Sequence, residues 1–161
     1  MPSDIRKSPP VCLWISIARL IAGMLRLSKA SLGQTTKMED GEMFEAFRQI
    51  NVYPEKEIDS PTTFIVRFKF SRLSHRANKI TSIIPMLMIS GYPGFQAKRY
   101  CVNRGTGYWM GIYQWESQKA LEEYKRSFVF RMMNRRAAEG TVTTLEVPHQ
   151  RLLDFIETHK G

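Results

Sequence analysis

The succession of strand and helix patterns between residues 62 and 147 constrains the fold of this chain more than any other feature. Apolar and polar side chains alternate strictly over 62–71, which predicts a strand with one apolar face. A helical pattern begins at Ser74, a residue type that caps helix N-termini. Pro85 lies within this pattern and is expected to kink or end the helix, because proline lacks the backbone N–H that a helix needs.

The same two periods recur further along the chain. Strands are predicted over 95–103, 108–115 and 141–147, and a second helical pattern begins at Ser117, between the last two strands. The order β-α-β-β-α-β is that of a ferredoxin-like unit, in which two helices cover one face of a four-stranded sheet. The sequence therefore predicts an α+β fold of the ferredoxin-like class.

The sheet face that these helices leave open is expected to be far from hydrophilic. We place Tyr113 and Trp115 of the third predicted strand on it, and a surface of this kind needs a second covering layer. A second copy of the chain is the simplest source of that layer. A homodimer that closes into a dimeric α/β barrel is the resulting expectation.

The patterns divide the chain into four parts. Residues 1–33 are predicted to form an N-terminal amphipathic helix or targeting segment, and 34–61 a connector. Within the connector, 42–48 are expected to hold one or two helical turns. The barrel domain is predicted over 62–147, and a C-terminal helix over 148–161.

The N-terminal segment is both basic and apolar. Residues 1–37 hold six basic side chains against one acidic side chain, a net charge of +5 within a total of +9. Over 11–32, polar or small residues recur every three or four positions, which predicts a helix with a broad apolar face. The apolar run before Arg19 has only eight residues, whereas a membrane span needs about 20. A membrane-spanning helix is therefore not expected.

Three interpretations of this helix stay open. It can lie in a membrane interface, with Trp14, Arg19 and Arg26 in contact with lipid, which would make the protein peripherally membrane-associated. It can belong to a transit peptide over 1–38 that directs the protein to an organelle, because 5–38 contain no acidic residue. It can also dock on its own domain or on a partner subunit.

Composition excludes several classes of protein. Cys12 and Cys101 stand alone, which excludes a disulfide framework or a recognisable zinc site and favours a reducing compartment, the cytoplasm. Residues 38–161 carry 18 basic and 14 acidic side chains, an imbalance that does not indicate nucleic-acid binding. We expect no metal and no cofactor.

The residues Gln114–Ser117 end the third predicted strand with the tripeptide Trp-Glu-Ser. They are followed, at the spacing W-E-S-x3-[F/L]-x2-[W/Y]-x2-S-x2-F, by Leu121, Tyr124, Ser127 and Phe130. This stretch resembles the antibiotic-biosynthesis monooxygenase family and the related haem-degrading monooxygenases, and the resemblance extends over 62–147. It implies a dimeric α/β barrel and a monooxygenase-like oxidoreductase that needs no cofactor. The implied substrate is a small aromatic or polyketide-like molecule.

Three positions depart from these relatives. Gly111 stands where the quinol-type monooxygenases carry an asparagine, and Leu121 where they carry a tyrosine. Asn134 stands where the haem-degrading branch carries its iron-ligating histidine, and an amide is a poorer iron ligand than imidazole. Haem degradation is therefore the less expected activity. The alternative to an enzyme is a non-catalytic small-ligand-binding or stress-related barrel protein.

The candidate site residues are those that we expect to line the open sheet face around Trp115. Trp115 and Arg67 are the predicted catalytic residues, and Arg67 or Lys69 is expected to stabilise a phenolate. Lys98 is expected to face the same cleft. The predicted substrate-binding residues are Lys69, Tyr100, Trp109 and Tyr113.

Overall fold

The computed structural model describes residues 4–161, which form one seven-stranded antiparallel sheet and six α-helices. The strands are β1 (Leu25–Leu27), β2 (Thr35–Lys37), β3 (Met43–Val52), β4 (Thr62–Phe68), β5 (Phe95–Val102), β6 (Trp109–Trp115) and β7 (Thr143–Pro148). The helices are α1 (Pro9–Ile21), α2 (His75–Thr81), α3 (Ile83–Ser90), α4 (Gln118–Lys125), α5 (Phe128–Asn134) and α6 (Leu152–Thr158), and a 3₁₀ turn (Ile5–Lys7) precedes α1.

Four of the strands form the predicted ferredoxin-like unit. They lie in the order β5-β6-β4-β7, with α2 and α3 connecting β4 to β5, and α4 and α5 connecting β6 to β7. The predicted α+β, ferredoxin-like fold class is therefore confirmed. Each of the two predicted helices of this unit is divided in two: the first into α2 and α3, the second into α4 and α5. The helix α3 begins two residues before Pro85. The helix α5 begins after Ser127, whose Oγ accepts a hydrogen bond from the Phe130 N–H at 3.2 Å. In the first turn of α3, the missing N–H of Pro85 costs no helical hydrogen bond.

The prediction of helical turns over 42–48 is wrong. That stretch lies in β3, a ten-residue strand that pairs with β5 and extends the sheet beyond the ferredoxin-like unit. Residues 34–61, which were expected to be a connector, thus supply two strands, because β2 also pairs with β3. At the C-terminus, α6 lies within the range 148–161 for which a helix was predicted.

The placement of Tyr113 and Trp115 on the face without helices is also wrong. Phe64 of β4 lies directly opposite Tyr113, and Thr62 lies opposite Trp115. Directly paired residues of an antiparallel sheet point to the same face. Tyr113 and Trp115 therefore share the face of Phe64, which α3, α4 and α5 cover.

The other face of the sheet is covered by the chain's own C-terminal segment. Leu152, Phe155 and Ile156 of α6 pack in one cluster with Met110 and Ile112 of β6. All five side chains are at most 4% exposed. Where α6 covers this face, a second subunit is not needed to bury it. The homodimer therefore remains a proposal.

The helix α1 is shorter than predicted and docks with its polar side inward. It ends at Ile21, and Arg26 lies in β1 rather than on the helix. The Ser16 hydroxyl donates a hydrogen bond to the Leu87 carbonyl, and the Arg19 guanidinium donates one to the Ser90 carbonyl at 2.7 Å. Of the three interpretations, docking on its own domain is the one that these contacts support.

The apolar side of α1 faces outward. Trp14 is 73% exposed and Ile21 is 84% exposed. Within residues 4–161, no helix combines the length and the apolar character needed to cross a membrane.

Candidate functional site

Two adjoining spaces lie near the end of the sheet where β4 ends and the β5–β6 hairpin turns. The inner cavity lies between the sheet, α3 and α5, and its volume is about 20 Å³, room for one water-sized molecule. The outer cleft has a volume of about 440 Å³, within the usual range of small-molecule sites. Phe70 and Trp109 line both spaces, with their ring centroids 4.7 Å apart. These two aromatic side chains form the wall between cavity and cleft.

Lys98 of β5 lines the inner cavity and is only 2% exposed. Its Nζ lies 4.1 Å from the ring centroid of Tyr100 and 4.3 Å from that of Tyr113. Within the described part of the chain it has no hydrogen-bond acceptor and no carboxylate partner. Burial lowers the pKa of Lys98 well below 10.5, and the charges of Arg48 and Arg136 lower it further. Burial between two aromatic rings therefore favours the neutral form of this amine.

The hydroxyl of Tyr100 also lines this cavity without a hydrogen-bond partner in the described residues. Burial raises its pKa well above 10, so it stays a protonated donor. Gly111 of β6 makes room for these groups, because a Cβ atom there would lie 2.8 Å from the Tyr113 ring and 3.2 Å from Lys98 Cε. An asparagine at position 111, as in the quinol-type monooxygenases, would collide with the amine and the ring.

His75 is the titratable group of the outer cleft that stands out. The hydroxyl of Ser74 accepts a hydrogen bond from the Ala77 N–H at 3.3 Å and so caps α2, which places His75 at the first helical position. The imidazole lies 5.2 Å from the Trp109 ring, and its Nδ1 is buried without a partner. Burial is the main cause that lowers the pKa of His75 below 6.5, and Arg104 adds to it. This imidazole is therefore neutral near pH 7 and can accept a proton.

The other walls of the cleft are aromatic, aliphatic and cationic. Lys69 follows β4, and its Nζ lies 4.9 Å from the Tyr108 ring centroid, with no carboxylate partner among residues 4–161. Arg104 in the β5–β6 hairpin is exposed and contacts Glu45 at 3.5 Å. A planar ligand with a negative charge would meet ring faces and cations in this cleft.

Of the six predicted site residues, the structure brings together four. Lys69 and Trp109 line the outer cleft, Tyr100 and Trp109 line the inner cavity, and Tyr113 lies against Lys98 behind it. The alternation predicted that Lys98 and Tyr100 share a face of the sheet, and they do. That face is the one covered by α3, α4 and α5, whereas the open face was expected.

The two residues predicted to be catalytic lie elsewhere. Trp115 has no exposed surface and stacks on Tyr124 at 4.6 Å between ring centroids. Arg67 points to the opposite face, where it forms ion pairs with Asp40 at 2.6 Å and Glu42 at 2.7 Å. Trp115 thus contributes to the packed core, and the charge of Arg67 is already neutralised.

His75 was missed by sequence reasoning because no local pattern distinguishes it from a surface residue in a first helical turn. Arg136 was missed for the same reason, although it lines the inner cavity and donates a hydrogen bond to Thr81 Oγ1 at 2.6 Å. The concentration of aromatic residues in β6 was the one signal that pointed to this end of the sheet.

The position that corresponds to an iron ligand in the haem-degrading branch does not fit haem. Asn134 is the last residue of α5 and is exposed to solvent. Its amide offers no imidazole to iron.

The chain has the ferredoxin-like α+β fold of the monooxygenase-like proteins. Neither the protein families nor the curated proteins contain a match to its sequence. Among solved structures, it is similar to a monooxygenase-like protein from Listeria innocua (TM-score 0.52, 11% identity, 71% of this chain and 67% of the other). It is also similar to a haem-degrading enzyme from Listeria monocytogenes (TM-score 0.51, 12% identity, 84% of this chain and 92% of the other).

A third similar structure is a ferredoxin-fold protein from Listeria monocytogenes that is related to antibiotic biosynthesis monooxygenases. Its TM-score is 0.51 at 9% identity, and the alignment covers 84% of this chain and 88% of the other. At such identities the similarity establishes the fold alone.

Proposed function

We propose that this chain is a cofactor-independent, monooxygenase-like enzyme that oxidises a small aromatic compound with an ionisable hydroxyl group. The observation that carries the proposal is the junction at Trp109. On one side a cleft of about 440 Å³ offers a neutral imidazole and an unpaired ammonium group, and on the other a cavity of about 20 Å³ offers space for a molecule about the size of water. Substrate in the cleft and dioxygen at the mouth of the cavity would meet at the edge of this side chain.

The first chemical step is removal of a proton. The neutral imidazole of His75 accepts the proton of the substrate hydroxyl, and the ammonium group of Lys69 stabilises the phenolate that forms. Trp109 is 5% exposed, and its accessible edge would contact the aromatic ring at the entrance of the inner cavity.

The second step is oxidation by dioxygen, which serves as oxidant and oxygen source. In an anthrone the hydroxyl that loses this proton is that of the enol (anthranol) tautomer. The resulting anion gives one electron to dioxygen, and the carbon radical and superoxide combine to a peroxide anion. The proton held by His75 then converts this anion to a hydroperoxide. Loss of water from that hydroperoxide converts a CH₂ group of an anthrone to a carbonyl group, so one oxygen atom enters the product and the other leaves as water. The Tyr100 hydroxyl and the Lys98 amine line the cavity in which negative charge develops on oxygen, and they donate hydrogen bonds to it.

Oxygen uptake with 1,8-dihydroxyanthrone as the probe tests this proposal. We expect wild-type protein to consume oxygen, and His75→Gln to reduce kcat/KM by about 100-fold, the usual contribution of a general base. Arg67→Ala is the matched control, because its guanidinium points to the other face of the sheet and should leave turnover unchanged. Equal rates for wild type and His75→Gln would refute the assignment of the base.

A non-catalytic ligand-binding function is the second candidate. It is favoured by the closed packing at two positions where the relatives carry functional side chains: Leu121 is completely buried, and Gly111 leaves no space for a side chain. In that case the anthrone would raise the melting temperature of the protein without oxygen uptake.

A further inference from the structure

A second pocket lies on the opposite face of the sheet, between β3, β5 and α6, and we propose that it binds a small organic carboxylate through Arg99. Its volume is about 330 Å³. Arg99 follows Lys98 in β5, and neighbouring residues of a strand point to opposite faces. The pocket is therefore separated from the cleft and cavity by the sheet, and the inference does not depend on the proposed enzyme activity.

Arg99 is the deepest charged group of this pocket and is 2% exposed. Its Nε donates a hydrogen bond to Gln49 Oε1 at 2.7 Å, and its Nη1 donates one to Gln34 Oε1 at 3.1 Å. Its Nη2 has no acceptor among residues 4–161, and no carboxylate forms an ion pair with it. A guanidinium group stays charged at all relevant pH values. The fold thus keeps a buried positive charge that is held by two amides and lacks its counterion.

The guanidinium group is held in position. Gln49 Nε2 donates a hydrogen bond to Asn51 Oδ1 at 3.1 Å, which fixes the orientation of the Gln49 amide and leaves its oxygen for Arg99. Burying a charge without a counterion costs free energy, and a bound carboxylate would offset that cost at Arg99.

The charges around the pocket favour an anion. Besides Arg99, its exposed rim carries the cations Lys56 and Arg151 and the carboxylates Glu55 and Glu157. Glu157 is already paired with Lys160 at 2.7 Å. The lining therefore has a net positive charge, and its deepest point is positive.

The shape and the remaining lining define the ligand class. A planar carboxylate matches the geometry of a guanidinium group better than it matches an ammonium group. The side-chain amides of Asn51 and Gln96 lie in the same lining and can donate to, or accept from, the polar remainder of the ligand. A volume of about 330 Å³ is at the small end of ligand sites. These features fit a small polar organic acid.

Thermal unfolding of the full chain tests the inference. Succinate is the carboxylate probe, and inorganic phosphate at the same ionic strength is the comparison anion. Succinate at about ten times its Kd is expected to raise the melting temperature of the full chain by about 3 °C. Phosphate is expected to raise it less. Arg99→Met should abolish the shift, whereas Arg76→Met, which removes one exposed positive charge from α2, should keep it.

Three results would overturn the inference. The first is a succinate shift of equal size in wild type and Arg99→Met. The second is a shift with phosphate but none with succinate. The third is an absence of succinate binding by wild type in titration calorimetry, together with a melting temperature that rises with protein concentration. That combination would mean that a second copy of the chain supplies the counterion of Arg99. If Arg99→Met does not fold, Arg99→Lys is the replacement variant, because it keeps the positive charge but lacks the planar guanidinium group. This variant is expected to bind succinate at least tenfold more weakly than wild type.

Discussion

Replacing Lys98 with methionine tests whether the buried amine is neutral in the folded protein. Methionine has a similar length and apolar stem, so the change removes the titrating group with little change in packing. In the unfolded chain this amine has its ordinary pKa near 10.5, whereas burial keeps the pKa well below that value in the fold. Between the two values the unfolded state binds one proton more than the folded state. The free energy of unfolding of the wild type therefore rises with pH by about 1.4 kcal/mol per unit in this window.

The measurement is urea unfolding of wild type and Lys98→Met at pH 7.5, 8.5 and 9.5. The variant should be the more stable protein at pH 7.5, and its advantage should shrink by about 1.4 kcal/mol for each pH unit while the native amine is neutral. The buried thiols and tyrosines also titrate in alkaline solution, but their contributions are the same in both proteins and cancel in the difference. Lys119→Met, on the exposed side of α4, should show no such trend. A constant difference between wild type and Lys98→Met at the three pH values would refute the reasoning, because it would mean that the amine keeps its proton in the fold.

Other predictions concern the packed core, the base and the N-terminal helix. Trp115→Phe should lower the free energy of unfolding by about 2 kcal/mol in urea, through lost packing against Tyr124, and should leave anthrone oxidation unchanged; a loss of turnover without a loss of stability would contradict this. The oxidation rate should fall as the pH drops through the lowered pKa of His75, below 6.5, and this limb should vanish in His75→Gln; an unchanged profile would exclude that imidazole. If the exposed side of α1 lies in a membrane interface, wild type should float with anionic vesicles, and Trp14→Ser should reduce the bound fraction several-fold. Leu153→Ser, which changes an exposed side chain of α6, is the control and should float like wild type. Equal flotation of both variants and wild type would contradict the membrane interpretation.

The order of elements in the ferredoxin-like unit could be predicted because each strand keeps a regular period. The strand β3 could not, since its register shifts between Ala46 and Arg48. Before the shift Phe44 and Ala46 face α6, and after it Ile50 and Val52 face the other helices. An irregularity of this kind breaks the alternation on which a strand assignment depends.

The face of Trp115 could not be predicted either. The alternation fixes which residues of β6 share a face, but only the pairing with β4 determines which face that is. The pocket at Arg99 could not be predicted for the same reason, because it depends on contacts between residues that are distant in the sequence. Gln34, which holds Arg99, is 65 positions away from it in the chain, and no local pattern connects them.

The packing of α6 has a consequence for how this fold can assemble. Thr63 Oγ1 donates to the Gln150 carbonyl at 2.8 Å, and Gln114 Oε1 accepts from the Leu152 N–H at 2.9 Å, so the segment is attached to the sheet directly after β7. A tethered segment competes for its surface at an effective concentration in the millimolar range, far above that of a free second chain. Self-association over this surface would therefore require residues 150–161 to leave it. A chain cleaved after β7 would expose the patch around Met110 and Ile112 to other molecules, whereas α6 covers that patch in the intact chain.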